Sequence, residues 1–239
     1  MGIISRFPAG ATKPYIEEIY NSNGQLIDVK MYGYDVIRDY VFFMCESLAL
    51  TTLPSGITSI GNYAFGYCSS LTLISLPSSI TSIGKGAFSG CTNLALTSLP
   101  SGITSIGGDA FAGCSSLALT SLPNGITSIS AGAFGDCSNL ALTTLPSGII
   151  SIDDYAFTNC TSLALTSLPS GITSISAFAF GSCSSLVSLI FEGTPEFISE
   201  NAFVNCNNLT TINVPWAEGA VANAPWGATN ATIHYGYTS

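Results

Sequence analysis

Charge is scarce in this chain of 239 residues: only 8% are Asp, Glu, Lys or Arg, against roughly 25% in an ordinary soluble domain. Basic residues are scarcer still. Five Lys and Arg stand against 14 Asp and Glu, a net charge of −9, so there is no basic patch to meet a phosphate backbone, and no nucleic-acid partner is expected. Histidine occurs once, as His234, with no base or nucleophile at a fixed spacing. The G-x-S-x-G, P-loop and dinucleotide fingerprints are all missing. We therefore expect no enzyme, no catalytic residue and no cofactor. Long apolar runs are missing too. Mean hydropathy is +0.48, yet the longest run is Tyr40 to Cys45, far short of the roughly 20 residues of a spanning helix, which argues against membrane insertion. Met1 to Ala11 has no long apolar stretch and does not read as a signal peptide.

What the chain has in abundance is repetition. The cysteines at 45, 68, 91, 114, 137, 160, 183 and 206 are spaced by 23 residues. The same interval relates Phe42, Phe65, Phe88, Phe111, Phe134, Phe157, Phe180 and Phe203, and likewise Leu48, Leu71, Leu94, Leu117, Leu140, Leu163, Leu186 and Leu209. A further Leu column at 53, 76, 99, 122, 145 and 168 precedes Pro, and an Ile column running from Ile60 to Ile198 closes the unit. So short a unit cannot bury its own apolar side chains, and its copies must stack around one shared core. The spacing predicts an extended piece around L-x-x-x-x-L-P, a second at I-T-S-I, and a turn of helix at A-F-x-x-C, where Phe and Cys three apart share a face. Parallel strands lie about 4.8 Å apart, so eight coils make a rod about 40 Å long.

The stretches Ile57 to Leu71 and Ile103 to Leu117, reading I-T-S-I-G-x-x-A-F-x-x-C-S-S-L, resemble the BspA-like class of leucine-rich repeats over about residues 37 to 215. The resemblance implies a repeat solenoid of leucine-rich-repeat type with short parallel strands and short helical turns. It also implies a surface-exposed adhesion protein of bacterial or protist kind. One departure concerns the third residue after the repeat Leu. The family has an apolar residue there, as at Ile74, Leu189 and Ile212, where this chain mostly has Thr51, Thr97, Thr120, Thr143 and Thr166.

Charge and period mark the ends. Ten of the 19 charged residues lie in the first 46, and only Lys85, Asp109, Asp136, Asp153 and Asp154 fall between there and Phe191. Tyr15 to Tyr34 alternates around Asn23-Gly24, a hairpin signal. Residues 1–36 are expected to form an N-terminal cap with a β-hairpin, 37–215 the solenoid, and 216–239 a C-terminal cap. In the last, Glu218 to Asn223 could form a helical turn and Ala231 to Tyr237 a strand. One Cys per coil in a core column reads as a buried free thiol rather than a disulfide partner or zinc ligand, because structural zinc needs four convergent groups. No metal site is expected.

Function is then left to the surface. Leu50, Leu73, Leu96, Leu119, Leu142 and Leu165 have two possible registers: an exposed apolar stripe with the neighbouring Thr inward, or a buried column made possible by a local bulge. Burial is favoured, since exposing a Leu forfeits about 1.5–3 kcal/mol and burying a hydroxyl costs about 1 kcal/mol. The inward apolar residues expected at Ile74, Leu189 and Ile212 pull the other way. The Leu column therefore stays a candidate binding surface, together with the variable corner positions Tyr63, Asp109, Asp136, Tyr155 and Phe178. The expected function is recognition or adhesion, with a protein or glycan on a cell or matrix surface as partner. The alternatives are a self-associating fibre, filament or virus-particle component, and ice or glycan binding by the Thr ladder at 58, 81, 104, 127 and 173.

Overall fold

The structure is a computed structural model that describes residues 2–4 and 14–238. Apart from residues 2–4, the segment read for an export signal lies outside the described residues. The chain begins with three antiparallel strands, β1 (Gly2–Ile4), β2 (Tyr15–Tyr20) and β3 (Leu26–Tyr32), with β2 central. The β2–β3 turn is held by the Asn21 carboxamide oxygen, which accepts from the amides of Asn23 (2.9 Å) and Gln25 (3.0 Å), while Gly24 takes a φ of 75°. Val29 from β3 enters the core, and Ile16, Leu26 and Met31 pack against it.

From there the chain winds as a β-solenoid of about nine turns with a spacing near 23 residues. One wall consists of two-residue strands at the I-T-S-I position: β4 (Val36–Ile37), β5 (Ser59–Ile60), β6 (Ser82–Ile83), β7 (Ser105–Ile106), β8 (Ser128–Ile129) and β9 (Ser151–Ile152). After β10 (Ser167–Leu168), which lies on another wall, the series continues with β11 (Ser174–Ile175) and β13 (Phe197–Ile198). Strands β10, β12 (Ser188–Phe191), β14 (Thr211–Val214) and β15 (Thr232–Tyr235) form a parallel sheet in that order on the L-x-x-x-x-L wall. In the earlier copies that wall is extended without regular strand pairing.

The core is a set of columns along the axis. Phe42 to Phe203 stack ring upon ring with centroids 5.1 to 5.6 Å apart. Offset stacks of this kind add about 0.5–1.5 kcal/mol per pair beyond burial. The turn expected to be helical is not: among the described residues there is no helix. At A-F-x-x-C every second amide leaves the coil, as in Tyr63 N–H to Lys85 O (2.8 Å), Phe65 N–H to Ala87 O (2.8 Å) and Tyr67 N–H to Ser89 O (2.6 Å). The amides between them close four-residue turns, such as Cys68 N–H to Phe65 O (3.1 Å). An α-helix would keep all of these bonds within one coil and leave the neighbouring coil's carbonyls without partners.

The last turn escapes the repeat pattern. Trp226 lies 23 residues after Phe203, is fully buried, and offers its carbonyl to Phe203 N–H at 2.9 Å. Its indole meets Trp216 edge-on at 6.2 Å, and β15 pairs with β14 from Thr232 to Tyr235. Glu218 to Asn223, expected to hold a helical turn, runs through non-helical turns and bends.

The I-T-S-I wall breaks once. Strands β4 to β7 form one sheet and β8, β9, β11 and β13 another. At other joints the amide at the Thr position and the amide after the second Ile bond to the preceding coil, as in Thr104 to Thr81 and Gly107 to Ile83 (both 2.9 Å). At the β7–β8 joint neither bond forms, and the Ser130 hydroxyl donates to Ile106 O instead (2.8 Å). The cause is local. Gly61, Gly84 and Gly107 press so closely on the preceding coil that a Cβ would overlap its backbone, and at the same column the next coils carry Ser130, Asp153, Ser176 and Ser199. The wall parts where the glycine series ends. Local opening should concentrate at this joint: in native-state hydrogen exchange, the amides of Thr127 and Ser130 are expected to exchange at least 10-fold faster than those of Thr104, Gly107, Ile150 and Asp153. Equal protection at the three joints would contradict the break.

Candidate functional site

The six-Leu column is core, and this corrects its candidacy as a binding surface. Leu73, Leu96, Leu119 and Leu142 are fully buried, with Leu165 at 2% and Leu50 at 5% exposed. The chain adopts the bulged register: after each buried Leu two residues in succession face solvent, as with Thr97-Ser98 and Thr143-Thr144. Ile74, which resembled the inward family position, is 70% exposed, while Leu189 and Ile212 do point inward. The inward site moves one residue later only in the last copies, where β12 and β14 are regular strands.

The hydroxyl ladder is occupied along the rod axis. The hydroxyls of Thr58, Thr81, Thr104 and Thr173 donate to carbonyls of the preceding coil at 2.9 to 3.4 Å.

Individual side chains are displayed chiefly at the A-F-x-x-C corner. Two positions per coil there take left-handed φ. The first column includes Tyr40, Tyr63, Asp109, Tyr155 and Phe178, and the second Met44, Tyr67, Asp136, Asn159, Ser182 and Asn205, all with φ between 49° and 61°. Left-handed backbone costs a non-glycine residue about 1–2 kcal/mol. The inter-coil bonds made by the alternate amides hold these positions in place.

Neighbours in a column interact. Tyr155, 50% exposed, stacks on Phe178 at 5.0 Å. Tyr63 stacks on Tyr40 at 5.4 Å and meets Phe43 edge-on at 6.1 Å. The Asp136 carboxylate accepts from the Asn159 side chain at 2.7 Å. Asp109 leans over Gly132, and the Tyr63 ring fills the space a side chain at Gly86 would need. Tyr155 and Phe178 are thus brought together, whereas Tyr63 lies four coils away, about 20 Å at strand spacing. Sequence reasoning passed over Tyr40, Met44 and Tyr67, which are 48% to 59% exposed. The signal was available, since each lies 23 residues from a residue in the same column.

The buried nucleophiles are committed to packing. The thiols of Cys68 through Cys206 each donate to the carbonyl of the Phe 26 residues earlier, at 2.9 to 3.1 Å. All eight cysteines are free. Burial pushes the Cys206 thiol up to about 11 and those of Cys68 and Cys160 up to about 12, and it raises Cys91, Cys114, Cys137 and Cys183 as well. Such thiols are poor nucleophiles. Among the described residues no group of three or more His, Cys, Asp or Glu converges as a metal would require, and His234 stands exposed on β15.

The family pattern described as "BspA type Leucine rich repeat region" matches residues 19–141 and 110–218, in six copies. The chain belongs to the BspA type leucine-rich repeat family. Among solved structures it is similar to a leucine-rich repeat protein from Bacteroides ovatus, at 19% identity over 96% of this chain and 76% of that one, with a TM-score of 0.61. A leucine rich cell surface protein from Faecalibacterium prausnitzii is similar at 23% identity over 88% and 72%, with a TM-score of 0.62. The T. pallidum leucine rich repeat protein is similar at 25% identity over 86% and 91%, with a TM-score of 0.56. No curated protein matches the chain. BspA type solenoids are generally non-enzymatic, commonly bind partners, and are typically found at cell surfaces. Among the described residues no helix is long and apolar enough to cross a membrane.

Two outcomes follow for the corner and the thiols. Gly86→Ala must displace the Tyr63 ring at a φ of 57°, and is expected to cost about 1–3 kcal/mol in urea unfolding. Gly56→Ala, in open space, should stay within about 0.5 kcal/mol. The buried thiols have folded-state pKa values above the unfolded value of about 8.5. Their stabilisation is therefore complete below that pH and lost as pH rises toward 11 to 12, at about 1.4 kcal/mol per pH unit for each thiol. The urea midpoint should be flat from about pH 6.5 to 8 and fall steeply above about pH 9. A midpoint unchanged to about pH 10 would contradict the buried thiol ladder.

Proposed function

We propose that this chain is a non-enzymatic recognition module that binds a macromolecule on a cell or matrix surface through the repetitive outer face of its solenoid. The observation that carries this reading is the pair of left-handed columns at the A-F-x-x-C corner. Their side chains lie outside the core, so aromatic and acidic residues can occupy them without cost to packing. Tyr155, Phe178 and Asp136 form the richest group. Tyr63 with Tyr40 and Tyr67 forms a second, and Asp109 lies between. Many equivalent weak contacts on a rigid rod sum through avidity, which suits an extended partner better than a small ligand. Within the N-terminal cap of residues 1–36 and the C-terminal cap of 216–239, the β2–β3 hairpin and the segment bearing Trp216 and Trp226 cover the terminal coils and limit strand pairing at the ends. Family membership supports a surface location.

The test is binding of the full chain at micromolar concentration to intact cells and to immobilised matrix proteins and glycans. Saturable binding is expected, reduced about 5-fold or more by combining Tyr155→Ser with Phe178→Ser. Binding to none of these targets would overturn the proposal.

A further inference from the structure

Near the C-terminal end of the solenoid β10 and β12 meet the last turn. A groove of about 750 Å³ lies there, within the range of small-ligand sites. Its floor is set by strand register: Ser167 on β10 pairs with Ile190 on β12, and both point outward while Leu168, Leu189 and Phe191 point into the core. Pro215, Tyr237 and Thr238 from the last turn line the groove. Thr166, Ser167, Ser170 and Glu192 line it as well. Tyr237 is held in place because its amide donates to Val214 O at 2.9 Å.

The chemistry of the lining is divided. Ile190, Pro215 and Tyr237 offer an apolar wall. With them stand the hydroxyls of Thr166, Ser167, Ser170 and Thr238 and the Glu192 carboxylate, and no Lys or Arg lines the groove among the described residues. The carboxylate is oriented, since the Ser167 hydroxyl donates to one Glu192 oxygen at 2.7 Å, leaving the other oxygen free to accept. The Thr166 hydroxyl is directed to Thr143 O at 3.4 Å, so it too meets a ligand mainly through its lone pairs. A matching ligand has an apolar face, an edge of hydroxyl donors and no negative charge. A phosphate or carboxylate would meet Glu192 with no cation to offset it. A purely apolar ligand would leave the hydroxyls and carboxylate desolvated and unpaired.

We propose that this groove is a binding site for a neutral sugar, with the C–H face of a pyranose against Tyr237 and Pro215 and its hydroxyls donating to Glu192. The proposal rests on the recognition reading above and names one class of partner for it, a neutral glycan, at a place distinct from the corner columns.

Saturation-transfer NMR on the full chain tests it, with glucose, galactose, mannose and N-acetylglucosamine as probes and glucuronate as the charged control. At least one neutral sugar should receive saturation, strongest on its ring C–H protons, and glucuronate should not. Tyr237→Ala and Glu192→Gln should each weaken that signal at least about 5-fold, while Ile74→Ser, at an exposed position on an early coil, leaves it unchanged. No transfer to any neutral sugar at about 10 mM overturns the site, as does transfer indifferent to Tyr237→Ala and Glu192→Gln. The thermal midpoint of each variant separates lost binding from lost folding. If cells and matrix are still bound while these sugars are not, the groove proposal falls and the recognition reading stands. Loss of both removes both.

Discussion

The backbone hydrogen bonds between neighbouring coils are the constraint on which the rest of this molecule depends. Apart from the tight turns at its corners, a coil has few partners for its own amides and must find them in the coils before and after. That requirement sets the rise per turn, and the rise sets everything stacked upon it. Phenylalanine rings one coil apart come into offset contact. A cysteine thiol reaches the phenylalanine carbonyl of the coil before it. The column of Gly61, Gly84 and Gly107 has no room for a side chain, and where Ser130 breaks that column the hydrogen bonding of one wall breaks with it.

Much of this was legible in the residues because the period is strict. The Phe, Cys, Leu and Ile columns announced which side chains face inward and that the copies stack in parallel, and family membership follows from the same pattern. What the pattern concealed is equally physical. The spacing of Phe and Cys suits a helical turn or a zigzag that shares its amides with the next coil, and only the need of that coil's carbonyls decides between them. The Leu50 column could be placed inside on energetic grounds, but the bulge that puts it there leaves no mark beyond two polar residues in a row. The ninth turn is hidden because Trp226 replaces Phe and no Cys or Leu follows at the usual positions.

The candidate site was half visible. Tyr63, Asp109, Asp136, Tyr155 and Phe178 stand out as irregular residues in a regular chain, and all of them take left-handed backbone at the corner. Their grouping was not visible, because a side chain there leans toward the following coil. What it meets depends on whether that coil offers a ring, as Phe178 does to Tyr155, or an empty place, as Gly86 does to Tyr63. The C-terminal groove arises where strand register changes, which no single column records.

The direction of the inter-coil bonds has an electrical consequence. The amides flanking the short strands of the I-T-S-I wall donate toward the N-terminal end of the rod, as Gly84 does to Ile60 O, whereas alternate amides at the A-F-x-x-C corner donate toward the C-terminal end, as Phe65 does to Ala87 O. In an α-helix every peptide dipole adds to its neighbours and the termini carry partial charges of opposite sign. Here the two sets of bonds oppose one another at the joints where both form, so a further coil bonded in this way adds little to a field along the axis. The long-range potential of the molecule is left to its few side-chain charges, and its two ends do not attract each other as the opposite poles of stacked helices would.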